Sequence, residues 1–258
     1  YLKRGFNTEE INSKNIKFFT DTNQNFKYLK FLDHLESFSQ EEIDLVLKVS
    51  EKFVENNLPI PKNNIIASLK TLRTIKKFLP INTTILDFGS GSGIDAIVLA
   101  LSGYKVISFD ITTSLFIYQN HIYKIFFQED YKFCEQNIDL NLDKKIFHVP
   151  FSLWFERNFS LEKLDGINAN YVLNEVSPIS YLYLQKLINN NFKLNRKKLY
   201  IFSAGPGATN SSNFFYIKNF GFKIINRTLN SELPNYVYEK FSSKYLRNEK
   251  FANFKKKA

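Results

Sequence analysis

Apolar and polar residues follow one another along the chain in blocks that predict amphipathic helices and short buried strands. Two helices come first, from about Ser39 to Asn56 and from Asn64 to Pro80, because apolar residues recur there at intervals of three and four. Ser39 to Glu42 has the sequence of a capping box, with Phe38 and Ile43 placed as a hydrophobic staple. These features predict helices that lead directly into the first strand.

The remainder of the chain predicts strands that alternate with helices. Five apolar runs of strand length are Thr83–Asp87, Tyr104–Asp110, Lys145–Val149, Leu164–Asn170 and Lys198–Ser203. Ser114–Gln136 is predicted as one long helix between the second and third of these runs. Phe222–Arg227 and Tyr236–Phe241 have no helix between them, which predicts a C-terminal hairpin with one antiparallel strand. The pattern therefore predicts an α/β fold with a doubly wound, mostly parallel sheet of seven strands.

Composition limits the classes of protein that this sequence can encode. The 258 residues are 44% hydrophobic and include 27 Phe, which predicts a packed globular domain rather than a disordered chain. No run approaches the ~20 apolar residues that a membrane-spanning helix needs, and the single Cys134 excludes an internal disulfide. We therefore expect a soluble cytoplasmic protein without a membrane partner. Because the sequence begins at Tyr1 and contains no Met, we expect it to be trimmed or part of a longer product.

The formal net charge of +10 raises the hypothesis of a nucleic-acid partner, since a basic face can neutralise phosphates. Lysine is nevertheless spread through most of the chain, and the dense basic run is Lys255–Lys257 at the tail. Charge that is spread evenly affects solubility more than recognition. The net charge therefore leaves a nucleic-acid partner open without favouring it.

A glycine-rich turn joins the first predicted strand to the helix after it. In Gly89-Ser90-Gly91-Ser92-Gly93, the glycines let the turn adopt positive φ and let a ligand lie against bare backbone. The first amides of the following helix have no partner within it and point into the turn. Asp110, 19 residues after Gly91, ends the second strand, where a carboxylate can accept both ribose hydroxyls of an adenosine. Together these features predict a site for a nucleotide-like ligand.

Two kinds of cofactor fit that description. Gly91-x-Gly93-x-x-Ala96 satisfies a relaxed form of the dinucleotide fingerprint, which leaves a nicotinamide cofactor open. Asp87, however, lies two residues before the first glycine, where its carboxylate would repel a pyrophosphate and attract an ammonium group. Together with the predicted C-terminal hairpin, this carboxylate favours a ligand with an amino-acid moiety.

From Leu86 to Gly93 the chain resembles the first motif of the class I S-adenosylmethionine-dependent methyltransferases. Asp110 matches the ribose-binding acid of that family, and Asp165–Asn170 is similar to its fourth strand. The resemblance extends over residues 64–242. It implies S-adenosylmethionine as cofactor and a Rossmann-like methyltransferase domain at residues 64–258, preceded by a mostly helical extension or cap at residues 1–63.

The resemblance also implies which residues bind the cofactor. They surround one crevice at the carboxyl ends of the strands: Asp87 for the amino group, Gly89, Ser90 and Gly91 for the methionine part, Gly93 and Asn170 beside them, Asp110 for the ribose, and Ile111 for one face of the adenine. Many family members have an acid after the third strand that meets the adenine amine. Here Pro150-Phe151-Ser152 takes that place, so Phe151 is expected to cover the adenine and Ser152 to bond to it.

A narrower similarity concerns the methyl acceptor. Asp110–Gln119, His148–Pro150 and Leu173–Val176 resemble segments of the sugar O-methyltransferase group, which implies a hydroxyl of a sugar or related metabolite. A sugar hydroxyl is a poor nucleophile and needs a base within hydrogen-bond reach. Glu175, after the fourth strand, is the predicted catalytic base, and Asn174 is predicted to orient the acceptor.

Other features leave alternatives open. His148 lies within the third predicted strand, where a hydrogen-bonded core histidine is favoured over a catalytic base. We expect residues 1–60 to help form the acceptor pocket, because the cofactor motifs leave that pocket unbuilt. An RNA methyltransferase, supported by the net charge, and a cofactor-binding fold without turnover are the alternatives to a small-molecule methyltransferase.

Overall fold

The computed structural model describes residues 38–135, 139, 141, 143–154, 163–173, 178–193, 198–204, 217, 220–227 and 236–241, so that residues 1–37 of the predicted extension lie outside it. The helices are α1 (Gln40–Glu55), α2 (Lys62–Lys76), α3 (Ile94–Leu101), α4 (Thr113–Phe127), α5 (Phe151–Trp154) and α6 (Pro178–Lys193). The strands are β1 (Thr84–Phe88), β2 (Lys105–Phe109), β3 (Tyr131–Phe133), β4 (Ile146–Val149), β5 (Gly166–Asn168), β6 (Lys198–Ser203), β7 (Lys223–Arg227) and β8 (Tyr236–Phe241). None of the described helices combines the length and apolar character that crossing a bilayer requires.

The strands form one mixed sheet in the order β3-β4-β2-β1-β5-β6-β8-β7. The neighbouring pairs from β3 to β6 are parallel, whereas β8 runs antiparallel to both β6 and β7. The carboxyl ends of the parallel strands therefore meet at one edge, and the chain order reverses beside β1, where ligands of such sheets bind. The predicted α/β class, the mostly parallel sheet and the C-terminal hairpin are confirmed.

The described sheet has one strand more than predicted, because the helix expected over Ser114–Gln136 ends early. Helix α4 stops at Phe127, and Gln128 takes a φ of 43°, which a right-handed helix cannot continue. After a single 3-10 turn, the chain pairs with β4 as strand β3. The predicted helix was therefore too long. Aromatic residues continue beyond the break, at Tyr131 and Phe133, so the sequence pattern does not mark it.

Two apolar layers cover the sheet. Successive side chains of a strand point to opposite faces, so Ile85 packs in the layer that contains α2 and α3, and Leu86 packs in the layer that contains α6. Asp87 returns to the Ile85 face and is only 2% exposed. Strand alternation thus places a carboxylate between the sheet and two helices, where an apolar residue would otherwise stand.

Helix α1 is joined to the domain through α2. Ser39 accepts a hydrogen bond from the backbone of Glu42 at 3.3 Å, and the carboxylate of Glu42 accepts one from the backbone of Ser39 at 2.8 Å, so the predicted capping box is confirmed. Arg73 of α2 donates to both oxygens of the same carboxylate and holds the pKa of Glu42 below its usual value. Val49 and Phe53 of α1 are fully buried in the layer that contains α2 and α3.

Candidate functional site

The glycine turn after β1 is held by the neighbouring strand. The backbone amides of Gly89 and Ser90 donate to the carbonyl oxygen of Phe109 at 2.9 and 3.0 Å. Gly89 and Gly91 have φ values of 75° and 53°, which residues with a Cβ rarely adopt. A Cβ at Gly89 would overlap Val172, whereas a Cβ at Gly91 would meet nothing within 4 Å. The turn therefore leaves bare backbone open at Gly91.

Asp110 lies against this turn, directly after β2. Its carboxylate accepts hydrogen bonds from the backbone amides of Gly91 and Thr112, both at 2.8 Å. Burial raises the pKa of Asp110, since only 4% of the residue is exposed. A carboxylate has about four acceptor positions, so some remain for hydroxyl groups of a ligand. The glycine turn and the acid predicted to accompany it are thus in direct contact.

Polar side chains fill the space under the turn, between the sheet and helices α2 and α3. We call this cluster the polar seam, and it consists of Asp87, Asp95, Asn168, Asn170, Ser68 and Thr71. At its centre, the side-chain nitrogen of Asn168 donates to Asp87 and to Asp95, at 2.8 Å in both cases. One amide group therefore bridges two carboxylates that reach the seam from β1 and from α3.

Helix α2 supplies the outer wall of the polar seam. The side-chain nitrogen of Asn170 donates to Thr71 of α2 at 2.9 Å and to Asp95 at 3.1 Å. Ser68, one turn earlier on α2, donates to the other oxygen of Asp95. These bonds fix α2 to the start of α3 and to the residues that follow β5, so the second predicted helix forms part of the site.

The surroundings of Asp87 oppose its ionisation. Burial raises the pKa of Asp87 to about 8, and the nearby carboxylate of Asp95 adds to the shift. Among the described residues, Oδ2 of Asp87 has no hydrogen-bond partner, and neither has Oδ1 of Asn168 or of Asn170. A buried polar atom without a partner costs ~1–3 kcal/mol. Because all three atoms are acceptors, they match a ligand group that donates several hydrogen bonds.

A second polar network supports the other side of the turn. The side chain of Gln119 donates to the carbonyl oxygen of Gly91 at 2.7 Å and faces Nε2 of His148 at 3.1 Å. His148 is fully buried, its ring stacks on Phe116 at 4.1 Å, and burial lowers the pKa of His148 to about 3. The prediction of a hydrogen-bonded core histidine is confirmed, and the neutral ring helps to hold Gln119 against the glycine turn.

The residues expected at the adenine lie beside Asp110. Ile111 is 54% exposed and follows that carboxylate directly. Phe151 is half-buried, and its ring packs against Phe109 with 5.9 Å between the ring centroids. Both side chains therefore lie at the ends of adjacent strands, β2 and β4, on the edge of the sheet that carries the turn.

Two residues of the turn have mainly internal contacts. The hydroxyl of Ser90 donates to the backbone carbonyl of Asp87 at 2.9 Å and lies 2.8 Å from the hydroxyl of Ser108, so this side chain faces the interior. Gly93 begins helix α3 with a φ of 76°, and a Cβ there would lie 2.7 Å from the hydroxyl of Tyr123. Any contact of these two residues with a ligand would therefore use their backbone.

The residues predicted to act on the acceptor, Asn174 and Glu175, lie outside the described residues. Sequence reasoning missed the roles of Asp95, Asn168 and Gln119. Asp95 interrupts the apolar run at the start of α3, but an acid in the first helical turn is also explained by the helix dipole. An asparagine within a buried strand was the clearest available signal, because such an amide needs partners.

The sequence matches no family model and no curated protein sequence. The fold is similar to that of a TehB-like S-adenosylmethionine-dependent methyltransferase from Corynebacterium glutamicum, at 17% identity and a TM-score of 0.44, over 66% of this chain and 86% of that one. It is also similar to a tRNA (uracil-54, C5)-methyltransferase from Pyrococcus abyssi, at 17% identity and a TM-score of 0.40, over 67% and 36% of the two chains. A third similar structure is the N-terminal domain of EvdMO1, solved in the presence of S-adenosylhomocysteine and D-fucose. Its identity is 11% and its TM-score 0.41, over 68% of this chain and 83% of that one. At identities this low, function has to be inferred from the residues of the site.

Proposed function

We propose that this protein is an S-adenosylmethionine-dependent methyltransferase that acts on a small polar acceptor, a hydroxyl of a sugar or related metabolite. The observation that carries the proposal is the presence, at the carboxyl edge of the parallel strands, of the polar seam with its unpartnered acceptors, the open turn at Gly91 and the buried Asp110. The seam suits an ammonium group, the turn suits a chain that lies flat on backbone, and the acid suits ribose hydroxyls. S-adenosylmethionine presents these groups in that order.

The residues of the crevice would divide the cofactor between them. Asp87 and the unpartnered amide oxygens of the seam would accept hydrogen bonds from the ammonium group, and Gly91 would contact the methionine chain. Asp110 would hold the ribose, with Ile111 and Phe151 against the adenine. When bound, the cofactor supplies a sulfonium methyl group to a nucleophile that approaches in line. Alignment of the two reactants accounts for much of the rate in such displacements.

Electrostatics disfavour the nicotinamide alternative. Two carboxylates, Asp87 and Asp95, lie under the glycine turn and share one amide donor. A pyrophosphate held by that turn would oppose the ionisation of Asp87 still further, whereas an ammonium group can form an ion pair with the ionised carboxylate. Dinucleotide binding at the turn would therefore be opposed by the same side chains that favour an amino-acid moiety.

The proposed methyl acceptor also needs residues that activate and orient its hydroxyl. Attack by a sugar hydroxyl requires a base within hydrogen-bond reach, and Glu175 and Asn174 are the proposed base and orienting residue, as the sequence predicts. In the sequence they directly follow Leu173, the last described residue of the segment after β5.

Three described lysines beside the strands of the sheet give no support to an RNA acceptor. Lys105 and Lys198 begin β2 and β6, and Lys145 immediately precedes β4, so these lysines lie at the edge of the sheet opposite the glycine turn. Lys145 forms an ion pair with Asp130 at 2.7 Å, and Lys198 forms one with Glu239 at 3.0 Å. A basic footprint for RNA would be expected around the crevice rather than at the opposite edge.

The test of the proposal is the titration of S-adenosylhomocysteine into the protein by calorimetry, with Asp110→Asn as the variant. We expect micromolar binding that the substitution weakens by about tenfold or more, equivalent to about 1.4 kcal/mol. Asp44→Asn, on the exposed face of α1, is the matched control that removes a carboxylate far from the crevice. Thermal melting of each variant shows whether it is folded.

Three outcomes separate the alternatives. Binding of NAD in place of S-adenosylhomocysteine, or binding that is indifferent to Asp110, would refute the cofactor assignment. Binding followed by methyl transfer to sugars in an acceptor screen supports the full proposal, and transfer to RNA alone supports the alternative acceptor. Binding without transfer to either class of acceptor would favour a fold that has lost turnover.

A further inference from the structure

The geometry of the polar seam orients its two amide groups. Oδ2 of Asp95 accepts hydrogen bonds from the side-chain nitrogens of Asn168, at 2.8 Å, and Asn170, at 3.1 Å. The second hydrogen of the Asn168 amide goes to Asp87, at 2.8 Å. Since the nitrogens must face the carboxylates, the two amide oxygens face away from them. Asp95 therefore determines which atoms the seam presents for a further hydrogen bond.

The atoms so presented are all acceptors once Asp87 is ionised. They are Oδ1 of Asn168, Oδ1 of Asn170 and Oδ2 of Asp87, each buried and without a partner among the described residues. An ammonium group has three N–H donors and a positive charge, which matches three acceptors that include one carboxylate. Hydrogen bonds to charged groups are stronger than those between neutral groups.

The charged groups around Asp87 show what must change when such a cation binds. Asp95 faces it from α3, Asp110 from the end of β2, and Tyr123 from α4. Among the described residues, no Lys or Arg forms an ion pair with Asp87 or Asp95. An ionised Asp87 would be buried beside the Asp95 carboxylate, with which it shares one amide donor, so Asp87 favours holding its proton until a cation arrives.

We propose that binding of the ligand's ammonium group in the polar seam is coupled to release of one proton from Asp87, and that Asp95 is the positioning residue that sets the pH of this exchange. The inference rests on the proposed function, since it assumes a ligand with an amino-acid end. The O–H bond of the Asp87 carboxyl breaks, its proton passes to solvent, and the resulting carboxylate pairs with the ammonium. The raised pKa of Asp87, about 8, agrees with a carboxyl that is protonated in the free protein at neutral pH.

The first experiment counts protons directly and uses the unmodified protein. S-adenosylhomocysteine is titrated by calorimetry near neutral pH in buffers of different ionisation enthalpy, and the slope gives the protons released on binding. We expect a value near one. The matched ligand control is 5′-methylthioadenosine, which lacks the amino-acid end and should bind with no proton release.

The second experiment measures how the affinity for S-adenosylhomocysteine depends on pH. Between about pH 5.5 and 7.5, the affinity should rise by up to about tenfold per pH unit, because each unit exposes more of the ionised Asp87. In Asp95→Asn, the amide keeps the shape of the side chain but removes one negative charge from the pair. The affinity should then level off about one pH unit lower, whereas the surface control Asp44→Asn should follow the unmodified protein.

The outcomes distinguish this inference from the function on which it rests. If S-adenosylhomocysteine binds tightly with no proton release and no dependence on pH, the coupling is wrong and the proposed function stands. If it fails to bind at any pH, both are overturned. If Asp95→Asn melts as the unmodified protein does and keeps the same pH dependence, the assignment of Asp95 is refuted. A variant that does not fold leaves the proton count on the unmodified protein as the deciding measurement.

Discussion

The contact between the glycine turn and Val172 gives a prediction that separates stability from binding. In Gly89→Ala, the new Cβ would lie 2.8 Å from one γ-carbon of Val172 and closer still to the other. A residue with a Cβ at a φ of 75° costs ~1–2 kcal/mol, and overpacking adds ~1–3 kcal/mol. We therefore expect Gly89→Ala to lower the free energy of unfolding by about 2–5 kcal/mol.

Gly91→Ala is the matched control within the same turn. Its φ is 53°, and the new Cβ would meet nothing within 4 Å, so only the conformational cost of ~1–2 kcal/mol is expected. The open space at Gly91 is also where the methionine chain would lie in the proposed function. Gly91→Ala should therefore stay folded and bind S-adenosylhomocysteine at least about tenfold more weakly.

The assay is equilibrium unfolding in urea, with Val172→Ala added to each glycine variant. Removing the γ-carbons should recover part of the stability that Gly89→Ala loses, with a coupling of ~0.5–3 kcal/mol, and should recover none in Gly91→Ala. If Gly89→Ala and Val172→Ala add within ~0.5 kcal/mol, no clash exists and the reasoning is refuted. Equal stability losses in the two glycine variants would refute it as well.

Two further predictions concern stability alone. His148 is neutral in the folded protein because burial lowers its pKa to about 3, whereas an unfolded histidine has a pKa of ~6.5. The unfolded chain therefore binds the proton first, and the free energy of unfolding should fall as the pH drops below about 6.5. In His148→Gln, the difference between the free energies of unfolding at pH ~6.5 and pH ~4.5 should be roughly 2 kcal/mol smaller than in the unmodified protein. An unchanged difference would contradict the lowered pKa of His148. Ser39→Ala should lower the free energy of unfolding by ~1 kcal/mol because it removes the side-chain acceptor for the backbone of Glu42, while Ser39→Asp, which keeps an acceptor, should cost less. If urea unfolding gave equal losses of stability for Ser39→Ala and Ser39→Asp, the side-chain acceptor at position 39 would contribute nothing to stability.

Local pattern was sufficient for the parts of the fold that depend on neighbours in sequence. The capping box at Ser39, the strand that ends before Gly89 and the final hairpin all depend on residues a few positions apart. Asp110 was also predictable, because strand length and the position of the glycine turn place a residue after β2 beside Gly91. The end of helix α4 was not, since pairing with β4 determines it rather than any signal before Gln128.

The polar seam could not be predicted, because its contacts join residues that are distant in sequence. Asn168 and Asn170 bind Asp95 across separations of 73 and 75 positions, and Asn168 binds Asp87 across 81. Each residue has an ordinary local explanation, as a residue of a strand, of the turn after it or of a first helical turn. Only the sheet order, which places β5 next to β1, brings these side chains together.

The position of the polar seam along α2 indicates why it exists. Leu69, Leu72 and Ile75 bury the same helix against the sheet with apolar contacts, so α2 does not need polar bonds to pack. Ser68 and Thr71 bind Asp95 and Asn170 instead, and they do so beside the glycine turn. A buried cluster that leaves acceptors unpaired is less stable than apolar side chains of the same volume. A ligand group that donates several hydrogen bonds, such as the ammonium of the proposed cofactor, would offset this cost.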